Sequence, residues 1–280
     1  MEKEQTVQDT IARAERSIIK KYRKQIWSRF TRAVTDYCLI EEGDKIACCI
    51  SGGKDSMLMA KLLQEIQRHG KVPFELVFLC MDPGYSGRNR ALIEENAAKL
   101  GIPLTFFHTD IFQIVETQGD HPCYLCARMR RGALYANARA AGCNKIALGH
   151  HYDDVIETIL MGILYSGKTE TMLPKLHSQN FEGMELIRPL YLIREESICA
   201  WRDYNDLHFI RCACKLTEAV SSRPDAKVSK RDVVKRLIAQ LRAEDPVIEQ
   251  NIFNCVRDIN LRTILGYHKD GRYYHFLDDY

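Results

Sequence analysis

Ser51-Gly52-Gly53-Lys54-Asp55-Ser56 is the segment of this chain whose residue types point most directly to chemistry. Two adjacent glycines let backbone N–H groups turn toward an anion with no Cβ in the way. Lys54 adds a full positive charge, and Ser51 and Ser56 can donate hydroxyls to phosphate oxygens. The segment follows an apolar run and precedes a helical one, so the helix dipole adds to the attraction. It is neither a Walker loop, which needs four residues between Gly and Gly-Lys, nor a G-x-G-x-x-G turn. A bare Gly-Gly pair would be only a tight connection; six residues of this character predict a phosphate site. Lys54, Asp55 and Asp82 are the candidate catalytic residues. Asp82 follows the second apolar run and could hold Mg²⁺ or a nucleotide hydroxyl, or simply shape the turn before Pro83-Gly84.

Cysteines form the second chemical signal. Cys123 and Cys126 lie three apart at a predicted helix start, where the dipole lowers thiol pKa values and two thiolates can share a metal. Further on comes Cys212-Ala213-Cys214. A four-thiolate zinc site, an iron–sulfur cluster with three thiolates and one open iron, and a redox pair all remain open on spacing alone. Cys38, Cys48, Cys49, Cys80, Cys143, Cys199 and Cys255 sit in apolar or helical stretches and read as small buried hydrophobes. Arg128, Arg130 and Arg131 follow the Cys pair, either compensating an anionic cluster or touching a nucleic-acid backbone. Gly149-His150-His151-Tyr152-Asp153-Asp154 ends another apolar run. Gly149 allows close backbone approach, and Asp153 suits a helix N-cap.

These residues need a scaffold that brings run ends together. KIACCI (45–50), FELVFLC (74–80), PLTFFHT (103–109), NKIALGH (144–150) and ELIRPL (185–190) are strand candidates. Helical stretches near 55–68, 86–100, 127–141 and 153–165 alternate with them. That pattern predicts an α/β fold with a Rossmann-like parallel sheet covered on both faces, its ligands beyond the carboxyl ends of the strands. Residues 6–37 read as one long helix. Ile11, Ile18, Ile19, Tyr22, Ile26, Phe30, Ala33 and Tyr37 form its apolar face. Its other face, between Arg13 and Arg32, holds eight Lys or Arg against Glu15, either a solvated surface or one for a polyanion. Past residue 190, helices near 194–206, 217–243 and 245–260 follow, and an aromatic tail that the periodicity does not place. The expected division is an N-terminal helical extension (1–44), a catalytic domain (45–215) and a C-terminal helical region (216–280).

The 280 residues carry 40 Lys plus Arg against 37 Asp plus Glu, a net charge of +3. The chain is therefore no globally basic nucleic-acid binder, and any RNA footprint must be local. No run approaches the ~18 apolar residues of a membrane span, and the polar N-terminus is not a signal peptide. A cytoplasmic protein with reduced thiols is expected, with no membrane partner.

SGGKDS resembles the PP-loop of the ATP pyrophosphatases, which cleave ATP between its α and β phosphates and adenylate a substrate oxygen. PCYLCARMRRGALY (122–135), NKIALGHHYDDVIETIL (144–160), LYSGKTETMLPKL (164–176) and IRPL (187–190) resemble, in order, the tRNA 2-thiocytidine synthetase (TtcA) family. The resemblance implies that Ser51, Gly52, Gly53, Lys54, Asp55 and Ser56 hold the leaving pyrophosphate, and that Gly149 and His150 lie against the nucleotide. It implies ATP and Mg²⁺, and a [4Fe–4S] cluster on three cysteines whose fourth iron is free to carry sulfide. Cys123 and Cys126 map directly. The family has a CxxC where this chain has Cys212-Ala213-Cys214, so Cys214 is the expected third ligand and Cys212 its substitute. The implied reaction is 2-thiocytidine formation at tRNA position 32, with a cysteine desulfurase as sulfur donor and a possible homodimer. A PP-loop ligase with structural zinc, a uridine thiolase and a non-catalytic RNA-binding protein are the rivals.

Overall fold

The computed structural model describes residues 2–111, 122–210 and 229–280. Strands β1 (Lys45–Ile50), β2 (Glu75–Asp82), β3 (Leu104–His108), β4 (Lys145–Ala147), β5 (Lys175–His177) and β6 (Glu185–Ile187) form one sheet, in the order β3-β2-β1-β4-β6-β5. Every pairing is parallel except β5 with β6. Strand β1 is buried along its length because its alternate side chains serve two cores. Ile46, Cys48 and Ile50 face one, with Met57, Leu58 and Leu62 of helix α3 (Lys54–His69) and Ile93 and Leu100 of α4 (Gly87–Leu100). Ala47 and Cys49 face the other, with Tyr135 and Ala138 of α5 (Pro122–Ala140). The chain reverses direction across the sheet between β1 and β4, which opens a crevice at their carboxyl ends. The Ser51–Ser56 loop and Gly149-His150 emerge there.

The remaining helices are α1 (Glu2–Arg16), α2 (Ser28–Asp36), α6 (Tyr152–Ser166), α7 (Glu195–Tyr204), α8 (Lys230–Glu244) and α9 (Ile248–Asn254). Between α1 and α2 the chain is π-helical over Ser17–Lys21 and Arg23–Trp27, where an unbroken α-helix was expected. Tyr22 N–H reaches Ser17 O, and Ser28 N–H reaches Arg23 O, each five residues back. The reason lies in the spacing. Ala14, Ile18, Tyr22, Ile26 and Phe30 recur every four residues, which an α-helix of 3.6 residues per turn would rotate off one face by about 40° per step. The wider π turns absorb that drift, and Ala14, Ile18, Ile26 and Phe30 are all buried.

Buried charges tie this frame together. Lys61, 1% exposed, pairs with Glu15 at 2.7 Å and donates to Leu100 O, anchoring α1 to α3 and α4. Lys145 is equally buried and meets Asp44 at 2.7 Å, Glu41 at 2.8 Å and Glu185 at 3.2 Å. Burial works against its ammonium, but those carboxylates outweigh it and its pKa rises.

The molecule divides into two compact units. One takes residues up to Asp153 and, among those described, Leu173 to Ile210; the other takes Asp154–Met172 and 229–280. In the second, Arg231 pairs with Asp154 at 3.2 Å and Lys230 sits 4.9 Å from the Tyr165 ring centroid. The tail, unassigned from sequence, forms a hairpin of β7 (Gly266–Lys269) and β8 (Arg272–His275) turning at Asp270-Gly271. The periodicity also missed β5, a three-residue edge strand. The predicted helix over 217–243 is seen from Lys230; its first part lies outside the described residues.

Candidate active site

The phosphate loop is built by close approach. Gly52 has φ +80°, and a Cβ there would sit 2.6 Å from Ile93 Cγ1 and 2.9 Å from Ile210 Cδ1. A Cβ at Gly149 would meet backbone atoms of Ser56 and Asp55 at 3.2 and 3.3 Å. Only glycine lets the ends of β1 and β4 touch in this way. Gly53 is the N-cap residue of α3, and no side chain caps the helix, so its first N–H groups face the loop. Ser51 Oγ and Ser56 Oγ lie 3.2 Å apart, and Ser56 donates to Gly53 O at 3.0 Å.

A cavity of about 280 Å³ adjoins the loop. Ser51, Asp55 and Ser56 form its polar floor, with Gly149 and His150 beside them, while Met81, Leu134 and Leu148 make an apolar slot of the kind that takes a nucleobase. Arg130 and Tyr85 complete the wall, a role the sequence did not suggest for either. Burial pushes the Tyr85 hydroxyl up to about 12, so it stays protonated at neutral pH. Cys49 also borders the cavity, and burial pushes its thiol up to about 12, the inert state expected of a buried cysteine. Cys48 and Cys80 behave alike, but Cys38 and Cys255 are exposed and do not fit the buried-hydrophobe expectation.

Lys54 looks the other way. Its ammonium lies 3.2 Å from Asp55 and 3.0 Å from Glu195, at the wall of a second cavity of about 680 Å³ that also takes in Arg202 and His208. Burial alone would lower the Lys54 pKa; Asp55 and Glu195 reverse this and raise it. Glu195 opens α7, and its backbone N–H donates to Asp153 at 2.7 Å while Arg194 pairs with the same carboxylate at 3.2 Å. Asp153 therefore caps α7, a distant helix, and not the start of α6 as the sequence suggested. His151 stands 3.9 Å from Asp55 and 3.8 Å from Asp153, linking the two. Glu195 carried no local motif that would have singled it out.

Asp82 is engaged elsewhere. Its Oδ1 accepts from Gly84 and Tyr85 N–H at 3.0 and 2.8 Å, and its Oδ2 pairs with Arg90 at 3.0 Å. Burial would raise its pKa, but these partners lower it on balance. That donor set is complete without a metal, and it fixes the turn that delivers Tyr85 to the cavity. No group of three His, Cys, Asp or Glu among the described residues is gathered for a metal ion. Cys123 and Cys126 lie in the first turn of α5, three apart, while Cys212 and Cys214 lie outside the described residues. A spacing of three on one helix turn suits two thiolates of a shared centre.

Residues 22–218 match the PP-loop domain family. The chain is 35% identical over 237 residues to the tRNA-cytidine(32) 2-sulfurtransferase of Syntrophotalea carbinolica, spanning 84% of this chain and 88% of that protein. It is 35% identical over 247 residues to the enzyme of the same name from Alcanivorax borkumensis, spanning 87% and 84%. Among solved structures, the U34-tRNA thiolase NcsA from Methanococcus maripaludis with its [4Fe-4S] cluster matches with a TM-score of 0.61 at 21% identity. That match covers 83% of this chain and 79% of that one, a likeness of fold.

Proposed function

This chain belongs to the PP-loop family and, within it, to the tRNA-cytidine(32) 2-sulfurtransferases, and from that membership we propose how its own residues carry out ATP-dependent thiolation of tRNA. One observation carries the reading. Helix α5 begins at the Cys123/Cys126 pair, and four and eight residues after Cys126 it lends Arg130 and Leu134 to the cavity beside the phosphate loop. At about 1.5 Å of rise per residue, the cysteine turn and the nucleotide cavity are only one to two turns apart on a single rigid element.

The chemical problem is the C2 oxygen of cytosine at position 32, which cannot leave as oxide. Adenylation makes it part of AMP, a good leaving group, and releases pyrophosphate. The adenine enters the slot of Met81, Leu134 and Leu148, and the β,γ-pyrophosphate lies over Ser51, Ser56 and the first N–H groups of α3. Gly52, Gly53 and Gly149 give it the room to do so. Arg130 steadies the nucleotide from the cavity wall, and His150 does so from beside the floor. Lys54, aimed by Asp55 and Glu195, faces the departing pyrophosphate and stabilises its growing charge. Mg²⁺ keeps most of its waters and binds substrate phosphates, so it arrives with ATP; Asp55 is the loop's own carboxylate for it, and Asp82 serves it only if Arg90 lets go. When bound, a [4Fe–4S] cluster would be held by Cys123, Cys126 and Cys214, and the chemistry it would supply is sulfide as the nucleophile. A carbon–sulfur bond then forms at C2 as the carbon–oxygen bond breaks and AMP leaves.

A cysteine desulfurase is the sulfur donor in this reading, the enzyme is cytoplasmic and pairs as a homodimer. Cys38, Cys48, Cys49, Cys80, Cys143, Cys199 and Cys255 are free thiols, as a reducing compartment requires. No helix among the described residues is long and apolar enough to cross a membrane.

The test uses anaerobically purified protein with unmodified tRNA, ATP, Mg²⁺ and sulfide, followed by nucleoside mass spectrometry. One 2-thiocytidine at position 32 per AMP released is expected, with about four irons per chain, and none from Cys123→Ala. AMP release from a colourless protein with no sulfur inserted would make it a ligase. Thiouridine would make it a uridine thiolase.

A further inference from the structure

Tyr204, the last residue of α7, takes no part in the nucleotide site, yet cations of the N-terminal helix gather around it. Lys21 Nζ lies 3.6 Å from its ring centroid and Arg13 Cζ 5.1 Å, and Arg13 also donates to Tyr204 O at 2.7 Å. Tyr22 meets the same ring edge-on at 6.1 Å. A cavity of about 430 Å³ opens here, walled by Arg13, Arg16, Lys20, Lys21 and Tyr204, with Asp9 its one lining acid. Its floor is rigid: buried Asn205 donates to Ser17 Oγ at 3.1 Å, which donates onward to Ala14 O at 2.6 Å.

Three features separate this cleft from an ordinary solvated helix face. Arg16, Lys20 and Lys21 have no carboxylate partner among the described residues, and Arg23 and Lys24 extend the same exposed run. Glu15, the acid within this basic stretch, is turned away toward Lys61 and Arg68 and leaves the positive field intact. The cleft also takes in the first π-helical stretch, through Ser17, Lys20 and Lys21, a rare conformation that recurs at functional sites. Here it holds Ile18 and Ile26 in the core while Lys20, Lys21, Arg23 and Lys24 stay on the surface.

We propose that this cleft is the docking site for the phosphodiester backbone of the substrate tRNA, an assignment that rests on the thiolase reading above. Phosphate contacts from Arg16 and Lys20 position RNA without reading its sequence. The Tyr204 ring holds Arg13 and Lys21 in place before the RNA arrives, so less side-chain freedom is lost on binding. A chain with a net charge of only +3 needs such a concentrated patch to capture a polyanion.

The test measures affinity of the intact, cluster-loaded protein for an unmodified tRNA transcript over a series of salt concentrations, by fluorescence anisotropy. Lys20→Glu/Lys21→Glu should bind at least about tenfold more weakly, and the slope of log affinity against log salt should fall by roughly 1.5 for two lost phosphate contacts. Tyr204→Phe, which keeps the ring, should bind as wild type does, whereas Tyr204→Ala should weaken binding severalfold. ATP affinity and the unfolding midpoint of the double variant should not move, because both side chains are exposed and neither lines the nucleotide cavity or the Lys54 cavity. Wild-type thiolation is assayed on the same preparation. If wild type thiolates and the double variant binds tRNA equally well, the cleft assignment fails alone; if wild type neither binds nor thiolates, the thiolase reading fails with it. If the double variant keeps its tRNA affinity but loses sulfur delivery from the desulfurase, the cleft takes an acidic protein and the proposal is overturned. Displacement of tRNA by inorganic phosphate beyond the effect of ionic strength would mark a small-anion site and overturn it too.

Discussion

At the scale of single residues, Gly149 is the position where the phosphate loop's own backbone, rather than a side chain, limits substitution. Any Cβ there must push against the backbone of Asp55 and Ser56, which cannot rotate away as a side chain would. Gly149→Ala should therefore raise the KM for ATP about tenfold, equivalent to ~1.4 kcal/mol, while the urea midpoint changes little. Steady-state kinetics beside a denaturation curve checks both halves. Glu195 works in the opposite sense. It shares the Lys54 ammonium at 3.0 Å and presents a negative charge to any incoming phosphate. Glu195→Gln should tighten product inhibition by pyrophosphate severalfold, and Lys54→Ala should relieve it; inhibition constants decide the point. The loop residues were legible in the sequence because phosphate chemistry requires glycine, serine and lysine side by side. Glu195, Arg130 and Tyr85 were not, because each reaches the site through tertiary packing from a separate element. Asp82 illustrates the converse: its position at the end of β2 was legible, but the partners that occupy its carboxylate were not.

At the scale of elements, length and periodicity decided what could be read. Strands β1 and β2 are long apolar runs buried on both faces and stood out in the sequence. Strand β5 has three residues and a solvent-facing edge, so it left no pattern, and the terminal hairpin is aromatic with an Asp270-Gly271 turn but no apolar alternation. In the N-terminal helix, the four-residue spacing was present in the sequence, yet only the structure showed that the backbone widens to accommodate it. Charge networks between elements were equally silent. Lys145 joins β4 to the loop before β1 and to β6, and Lys145→Met would leave Asp44 buried without a counter-charge, while Glu185 would keep only Lys175 at 3.3 Å. A loss of about 3–5 kcal/mol is expected from breaking such a pair, read as a lower urea midpoint with an unchanged slope. The exposed end of this network predicts a pH effect. Hydrogen bonds from Lys145 and Lys175 hold the Glu41 pKa at about 2, below its ordinary 4.5. A depressed carboxylate pKa contributes stability above the unfolded value and loses it as pH falls from 4.5 toward 2. Glu41→Gln should thus flatten the fall in stability across that acid window, seen in urea midpoints taken through it.

At the scale of the whole molecule, two chemistries must meet: activation of an oxygen by ATP and delivery of sulfur by a cluster. The cavity for the first draws its residues from Cys49 to His150, and its floor, its glycine contacts and two of the three slot residues are set by β1, β2, β4, α3 and the loops that follow the strands, without any of the four candidate ligand cysteines. Only Arg130 and Leu134 come from the helix that begins at Cys123. Removing iron should then separate the two functions unequally. Protein stripped of iron by an anaerobic chelator should lose thiolation entirely, since the proposed route delivers sulfide to C2 through the cluster. Its affinity for ATP should weaken by no more than about threefold, the consequence of a less constrained first turn of α5 acting on Arg130. Equilibrium binding of a fluorescent ATP analogue, measured beside 2-thiocytidine yield before and after reconstitution with iron and sulfide, distinguishes this arrangement from its alternative. A loss of ATP binding parallel to the loss of iron would mean that the cluster organises the nucleotide site itself. The phosphate loop and Gly149 contacts would then be insufficient to form the cavity, against the geometry they show.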